Sequence, residues 1–262
     1  LGLVATVMAV VPTLGPLIGG LLETGFGWEA IFLFTAITST LVVTWAAITL
    51  PETRGLNVQH GAREGFFRDL ARLSRSARFA GFVLAGAFGS ATFFAFLGGG
   101  AHVVVTLMGR SPAEYGAWFA LSSIGYITGN FISSRLSMRY GIHRMIWAGI
   151  IIEVLGVALS TALTAFALNW GPLIVFVPQM IVNVGNGLLL PGAIAGAVSV
   201  RPQSAGTAAG ITGFTQMALG AAIAQYAGTL MADSPSALPL SILMDALAIV
   251  LVIGFAALVR RA

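Results

Sequence analysis

Apolar residues occur along this chain in long blocks, and polar residues are confined mainly to the stretches between them. A helix needs about 20 predominantly apolar residues to cross the hydrocarbon core of a bilayer. Eight blocks reach that length, at residues 2–22, 30–50, 79–100, 114–135, 144–166, 170–191, 205–230 and 238–259. The one long polar segment covers residues 51–78. The pattern predicts an all-α integral membrane protein with eight transmembrane helices.

The amino-acid composition is that of a membrane protein rather than a soluble one. Of 262 residues, 57% are hydrophobic and 8% are charged, whereas a soluble domain has roughly 25% charged residues. The chain has no cysteine, which excludes disulfides and a cysteine nucleophile. His60, His102 and His143 are too scattered to indicate a metal site, and nothing resembles a nucleophile–base pair. We expect no enzyme activity, no cofactor and no metal.

The thirteen basic residues are all arginine and fall between the apolar blocks, which is typical of topology signals rather than of nucleic-acid binding. With eight spans, one side of the membrane receives twelve of them: Arg54, Arg63, Arg68, Arg72, Arg75, Arg78, Arg135, Arg139, Arg144, Arg201, Arg260 and Arg261. The opposite side has Arg110, with Glu23, Glu29, Glu114 and Asp233. Because arginine is enriched in cytoplasmic loops, we expect a cytoplasmic C-terminus.

The first block contains residues that normally disfavour a helix. Residues 11–33, VVPTLGPLIGGLLETGFGWEAIF, include Pro12, Pro16 and the pair Gly19–Gly20. In water, Gly costs a helix about 1 kcal/mol and Pro about 3 kcal/mol relative to Ala. In lipid the backbone has no water to bond with, so it stays helical despite these residues.

The chain also opens at Leu1 directly into this block, and we expect a further N-terminal part to precede it.

This stretch resembles a known transporter motif. Gly2 and then Gly15, Pro16, Gly19 and Gly20 are similar to the antiporter motif in the fifth helix of drug:proton antiporters of the major facilitator superfamily. Val11 stands where that motif has another glycine. The segments GWEAIFLF and LPETRG also resemble the passage from the fifth to the sixth helix of that group. Either the stretch is a kinked gate helix at the boundary between two halves, or it is ordinary close helix packing.

Two further segments support the resemblance. SSRLSMRYGIHR (133–144) is similar to the superfamily loop motif, with Arg139, Gly141 and Arg144 retained and Met138 at the aspartate position. RPQSAGTAAGITGFTQMALGA (201–221) resembles the tenth-to-eleventh helix passage of Bcr/CflA-type multidrug exporters.

The resemblance implies that the eight spans are helices five to twelve of a twelve-helix fold. Residues 1–50 would then close the N-terminal half, 51–78 would be the central cytoplasmic loop, and 79–262 would be the six-helix C-terminal half. Such halves rock around a site near the midplane. The resemblance further implies proton-coupled efflux of lipophilic drugs or small metabolites from a bacterial cell, across the inner membrane. The family's coupling carboxylate and arginine, in helices one and four, are not in this chain.

Polar residues at membrane depth predict a substrate cavity. Gln179, Asn183 and Asn186 share one helical face, and Thr212 and Gln216 lie four residues apart on the next span. Polar groups at this depth normally avoid lipid. Tyr126 and Phe94 are candidates for an apolar wall of the same cavity. Interhelical hydrogen bonding is the alternative for the amides, and core or lipid-facing packing is the alternative for the rings.

Glu153 and Asp245 are the acids that lie deep within predicted spans, and both are candidate proton sites. The alternative is that each is protonated and hydrogen-bonded to a neighbouring helix.

Two small-residue faces, at Gly125, Gly129 and Ser133 and at Gly220, Ala224 and Gly228, indicate either contacts between moving halves or plain packing. Residues 63–79 suit an amphipathic helix on the anionic inner leaflet, or a solvated linker.

The expected partners are a small lipophilic substrate, protons and membrane lipid, but no nucleic acid, with a monomer as the default state. The absence of lysine, and so of a phosphate-binding Gly-Lys motif, argues against ATP-driven transport. Two other functions stay open: another facilitator carrier, for a sugar or metabolite, and a non-transporting membrane scaffold or defunct fragment.

Overall fold

The computed structural model describes residues 15–49, 66–166 and 171–259. Within these ranges every regular element is a helix, which confirms the all-α class there. Gly2 and Val11 of the motif, residues 51–65 and the last two arginines lie outside the described residues.

The described α-helices follow the predicted blocks, with one addition. They are α1 (15–26), α2 (Glu29–Thr49), α3 (Phe66–Ser74), α4 (Ala77–Ala101), α5 (Pro112–Tyr140), α6 (Ile142–Ala165), α7 (Leu173–Ser199), α8 (Ala205–Ala232) and α9 (Leu238–Val259). A π-helix, His102–Leu107, continues α4, and a 3-10 turn, Pro202–Ser204, precedes α8. The added helix is α3, which forms within the polar segment.

Five of these helices are long and apolar enough to cross a membrane: Glu29–Thr49, Ala77–Leu107, Ile142–Ala165, Leu173–Ser199 and Leu238–Leu258. α5 and α8 are also long, at 29 and 28 residues, but their sequences are less apolar. The number of eight transmembrane helices therefore stays a prediction.

α4 and α7 form the centre of a bundle that comprises α4 to α9. α4 packs against α7, α8 and α9, whereas α7 also packs against α5 and α6. About half or more of the residues of these two helices are buried, but α2 has no buried residue. Small residues recur along both central helices, so neighbouring backbones can approach closely.

The small-residue face of α5 is an internal contact of this bundle. A Cβ atom built on Gly125 or Gly129 would overlap the carbonyl oxygen of Met180 or Val184, both on α7. Ser133 Oγ also donates a hydrogen bond to a carbonyl of α7, at 3.3 Å. The expectation that this face joins two moving halves is wrong, because its partner belongs to the same bundle.

The small-residue face of α8 has the same role. Gly220 lies under the ring of Phe94 on α4, where a Cβ would overlap the ring. One turn further, a Cβ on Gly98 of α4 would overlap the carbonyl of Ala224. Gly228 continues this contact, 3.6 Å from the carbonyl of Gly98 as measured from its ideal Cβ position. Packing within the bundle again accounts for the pattern.

Residues 66–74 are helical, and α3 packs against α4 and α8 at the arginine-rich end of the bundle. Leu73 is 1% exposed and belongs to a core cluster with Phe79, Phe82 and Phe255. The alternative prediction of a solvated linker is therefore wrong for residues 66–74. Arg68 and Arg75 point outwards from the same segment.

Candidate functional site

Two glycines bring α1 and α5 into direct backbone contact. A Cβ on Gly20 would overlap the carbonyl of Pro112, the first residue of α5. A Cβ on Gly116, one turn along α5, would overlap the carbonyl of Pro16. Only glycine fits at both positions, so each helix contributes a gap for the other's backbone.

Not every glycine of the motif takes part. No described atom lies within 4 Å of a Cβ built on Gly15 or Gly19. The tight contact therefore rests on Gly20, together with Gly116, which the sequence reasoning did not select. Gly116 stands in PAEYGAW, directly after a predicted helix start, and nothing in that context marks it as a partner of α1.

The amide stripe of α7 faces into the bundle. Gln179, Asn183 and Asn186 are 2%, 3% and 2% exposed, on one face as predicted. Gln179 Nε2 donates to Asn183 Oδ1 at 3.1 Å, and Asn183 Nδ2 donates to the carbonyl of Ser122 on α5, also at 3.1 Å. Asn186 Nδ2 donates to the carbonyl of Val182 at 3.4 Å. In this conformation the stripe makes hydrogen bonds within and between helices.

The other predicted cavity residues lie on α8 (Thr212 and Gln216), α4 (Phe94) and α5 (Tyr126). Thr212 is buried and donates to the carbonyl of Ala208 at 2.8 Å. Gln216 is 9% exposed, and its amide lies directly over Gly86 of α4. Phe94 and Tyr126 are half-buried, so both rings retain an accessible part. Of the predicted set, these two aromatic residues are the ones that can reach a ligand without rearrangement of the bundle.

Both deep acids contact a threonine of a neighbouring helix. Glu153 of α6 is 0% exposed, and its Oε1 lies 2.8 Å from Oγ1 of Thr92 on α4. Asp245 of α9 is half-buried and accepts a hydrogen bond from Thr161 Oγ1 of α6 at 2.5 Å. The two threonines lie 61 and 84 residues from their acids in sequence, so spacing alone could not have found them.

A small cavity lies between α4, α6, α7 and α9. Its polar lining includes Ser160, Thr164, Gln179 and Ser241, and the rest of its wall is mostly apolar. At about 20 Å³ it can hold a water-sized molecule. Drug-sized ligands need about 300 Å³ or more. This cavity is therefore not the predicted drug site.

The loop motif lies at the opposite end of the bundle from the Gly20–Pro112 contact. Gly141 has φ +81°, a conformation that favours glycine, and it makes the sharp turn between α5 and α6. Arg139 and Arg144 flank this turn and are exposed. The structure thus groups the predicted residues into three places: the α1–α5 contact, the bundle interior and this turn.

The described helices form a bundle of long apolar helices that encloses buried amides and the buried carboxyl of Glu153, and polar groups at membrane depth typically mark substrate or ion pathways. The family model of the Major Facilitator Superfamily matches residues 1–225. The chain belongs to this superfamily, whose members are multi-pass membrane transporters rather than enzymes.

The chain is similar to several drug-resistance proteins. It is 25% identical to a bicyclomycin resistance protein homolog of Haemophilus influenzae, over 98% of this chain and 64% of that protein. It is 30% identical to the multidrug transporter MdfA of Edwardsiella piscicida, over 64% and 42% respectively. It is 27% identical to multidrug resistance protein D of Escherichia coli, over 79% and 51%. The chain spans less than two thirds of the length of these relatives.

Proposed function

We propose that this chain is part of a proton-coupled exporter of lipophilic drugs or small metabolites, working by alternating access in a bacterial inner membrane. The observation that carries the proposal is the tight α1–α5 contact through Gly20 and Gly116. It joins the helix with the antiporter-like motif to the bundle of α4 to α9. The names of the similar proteins, for bicyclomycin and multidrug resistance, support the substrate class.

The position of this contact supports a specific conformation. α1 ends at residue 26 and α5 begins at Pro112, so both contact glycines lie near the helix ends on the side of the membrane that has a single arginine, Arg110. The arginine-rich ends lie at the other side, and by the arginine rule they face the cytoplasm together with the C-terminus. We infer that this contact closes the outer side, and in an alternating-access cycle closure there goes with a substrate path that opens towards the cytoplasm.

Within that path, Phe94 and Tyr126 are the proposed substrate contacts, because both rings are partly accessible. The amides of Gln179, Asn183, Asn186 and Gln216, and the hydroxyl of Thr212, lie behind the surface. They would meet the substrate only after the helices shift. A lipophilic compound suits accessible aromatic rings, which provide large apolar area with little loss of conformational freedom.

A matched pair of glycine variants tests the proposal. Gly20→Leu places a large side chain where the backbone of α5 lies, and it should abolish drug resistance in cells while membrane insertion is kept. Gly19→Leu adds the same side chain one residue away, where no described atom lies within 4 Å, and it should leave resistance near normal. Equal expression in the membrane fraction is the control.

Two outcomes would contradict this reasoning. If the Gly20→Leu variant exports drugs at the same rate as the Gly19→Leu variant, the contact is not a gate. If export persists but drug addition drives no proton flux in membrane vesicles, the protein is another type of facilitator carrier.

A further inference from the structure

The hydroxyl of Thr92 has two acceptor atoms within hydrogen-bond distance but only one hydrogen. Its Oγ1 lies 2.9 Å from the carbonyl of Gly89 in its own helix and 2.8 Å from Oε1 of Glu153. A threonine hydroxyl donates one hydrogen bond and can accept two. Two full hydrogen bonds, rather than one hydrogen shared between two acceptors, form when Thr92 donates to Gly89 and Glu153 donates to Thr92. That arrangement requires a proton on the carboxyl of Glu153.

The surroundings of Glu153 favour the same protonation state. Its second oxygen, Oε2, is buried and has no hydrogen-bond partner among the described residues. Of the helices packed around it, α7 has no ionisable residue, and α9 has Asp245, which bonds to Thr161. The basic groups of α4, α5 and α6 lie towards their ends. A buried carboxylate with neither a cation nor a full set of donors is costly.

The neighbouring turn of α7 offers Glu153 no described donor, because the Asn186 amide nitrogen already donates to the carbonyl of Val182. A Cβ built on Gly185 would lie 2.8 Å from the backbone nitrogen and 3.0 Å from the Cβ of Glu153, so α7 packs directly against this residue. The next residue, Asn186, has a buried Oδ1 without a described partner, and this oxygen lies 3.7 Å from a Cβ built on Gly89. Two buried oxygens close to this interface, Glu153 Oε2 and Asn186 Oδ1, thus have no described hydrogen-bond donor.

We propose that Glu153 and Thr92 form a proton-binding site inside the C-terminal bundle. In the described conformation the carboxyl holds the proton and donates to Thr92 Oγ1, which donates to the carbonyl of Gly89. On release, the O–H bond of the carboxyl breaks and the proton passes to water that enters when α6 and α7 separate. The hydroxyl hydrogen of Thr92 then turns from Gly89 to the carboxylate. The site deepens the proposed function, because a proton-coupled carrier needs a group that gains and loses one proton per cycle.

Infrared spectroscopy of the purified full chain in detergent tests the site without any transport measurement. A protonated carboxyl has a carbonyl stretching band that an ionised carboxylate lacks. Near neutral pH, Glu153→Gln should remove one such band, and Thr92→Val should shift it, because the acid loses its hydrogen-bond acceptor. Thr215→Val is the matched control, since Thr215 makes a similar helical hydroxyl bond, to Ile211 at 2.8 Å, with no acid bonded to it. It should leave the band unchanged.

The proposal is overturned if Glu153→Gln removes no acid band. It is also overturned if the acid band has the same frequency in the Thr92→Val and Thr215→Val variants. Should Glu153→Gln fail to fold, the shift in Thr92→Val decides the matter alone. A monovalent cation in place of the proton would give no acid band and a signal that depends on salt, which also contradicts the proposal. If the band is present but drugs drive no proton flux, the site stands and the proposed transport mechanism fails.

Discussion

Replacing Asn183 with leucine separates the two interpretations of the amide stripe. The side chain is 3% exposed and makes two hydrogen bonds, one to the carbonyl of Ser122 on α5 and one from Gln179. Leucine has a similar size, so the change removes polar contacts with little effect on packing. If Asn183 serves packing in every state of the cycle, the loss should appear as reduced stability and uniformly weaker export.

The expected loss follows from the two bonds. Hydrogen bonds between membrane helices contribute about 0.6 kcal/mol on average. The variant also leaves Gln179 Nε2 without its acceptor in a buried position, which costs about 1 kcal/mol or more. We therefore expect the free energy of unfolding to fall by about 1–2 kcal/mol. Adding Gln179→Leu should recover part of this loss, because removing both partners of a buried hydrogen bond is nearly neutral.

The assay combines unfolding of the purified variants in detergent with resistance profiles for several unrelated drugs. Ile181→Leu, at a half-buried position of the same helix, is the control for the leucine substitution. Unchanged stability together with a selective change in the exported drugs would refute the packing interpretation. That result would place Asn183 in the substrate path.

Two further predictions concern orientation and α3. Met138, 93% exposed at the α5–α6 turn, and Ser236, exposed between α8 and α9, lie at opposite ends of the bundle. In intact cells a cysteine at Ser236 should react with an impermeant thiol reagent and one at Met138 should not, and the reverse labelling would invert the topology. Leu73→Ala should release α3 at a cost of about 2–3 kcal/mol, seen as faster tryptic cleavage after Arg68 or Arg75. The Ser74→Ala variant, changed at an exposed position, should be cleaved at the normal rate. Equal cleavage rates for both variants would show that Leu73 does not keep α3 packed against α4 and α8.

Hydropathy located the helices well because a backbone in lipid must satisfy its own hydrogen bonds. The predicted span 79–100 nevertheless ends too early, since the π-helix His102–Leu107 continues α4. The Met108 N–H donates to the carbonyl of Val103, five residues back, and apolar content does not reveal this wider π-type turn. The helix α3 was predicted as amphipathic, but its docking on α4 and α8 depends on the space beside Phe79 and Phe82.

The sequence by itself determined the class of protein, the positions of the helices and the residues with polar or acidic chemistry at membrane depth. Only the tertiary structure decided which of them touch. Gly19 and Gly20 are adjacent, yet successive residues point about 100° apart around a helix, so one of them faces α5 and the other does not. Likewise Glu153 acquires its partner from α4, 61 residues away. Local periodicity specifies which residues share a face, but the partner of that face depends on how distant helices pack.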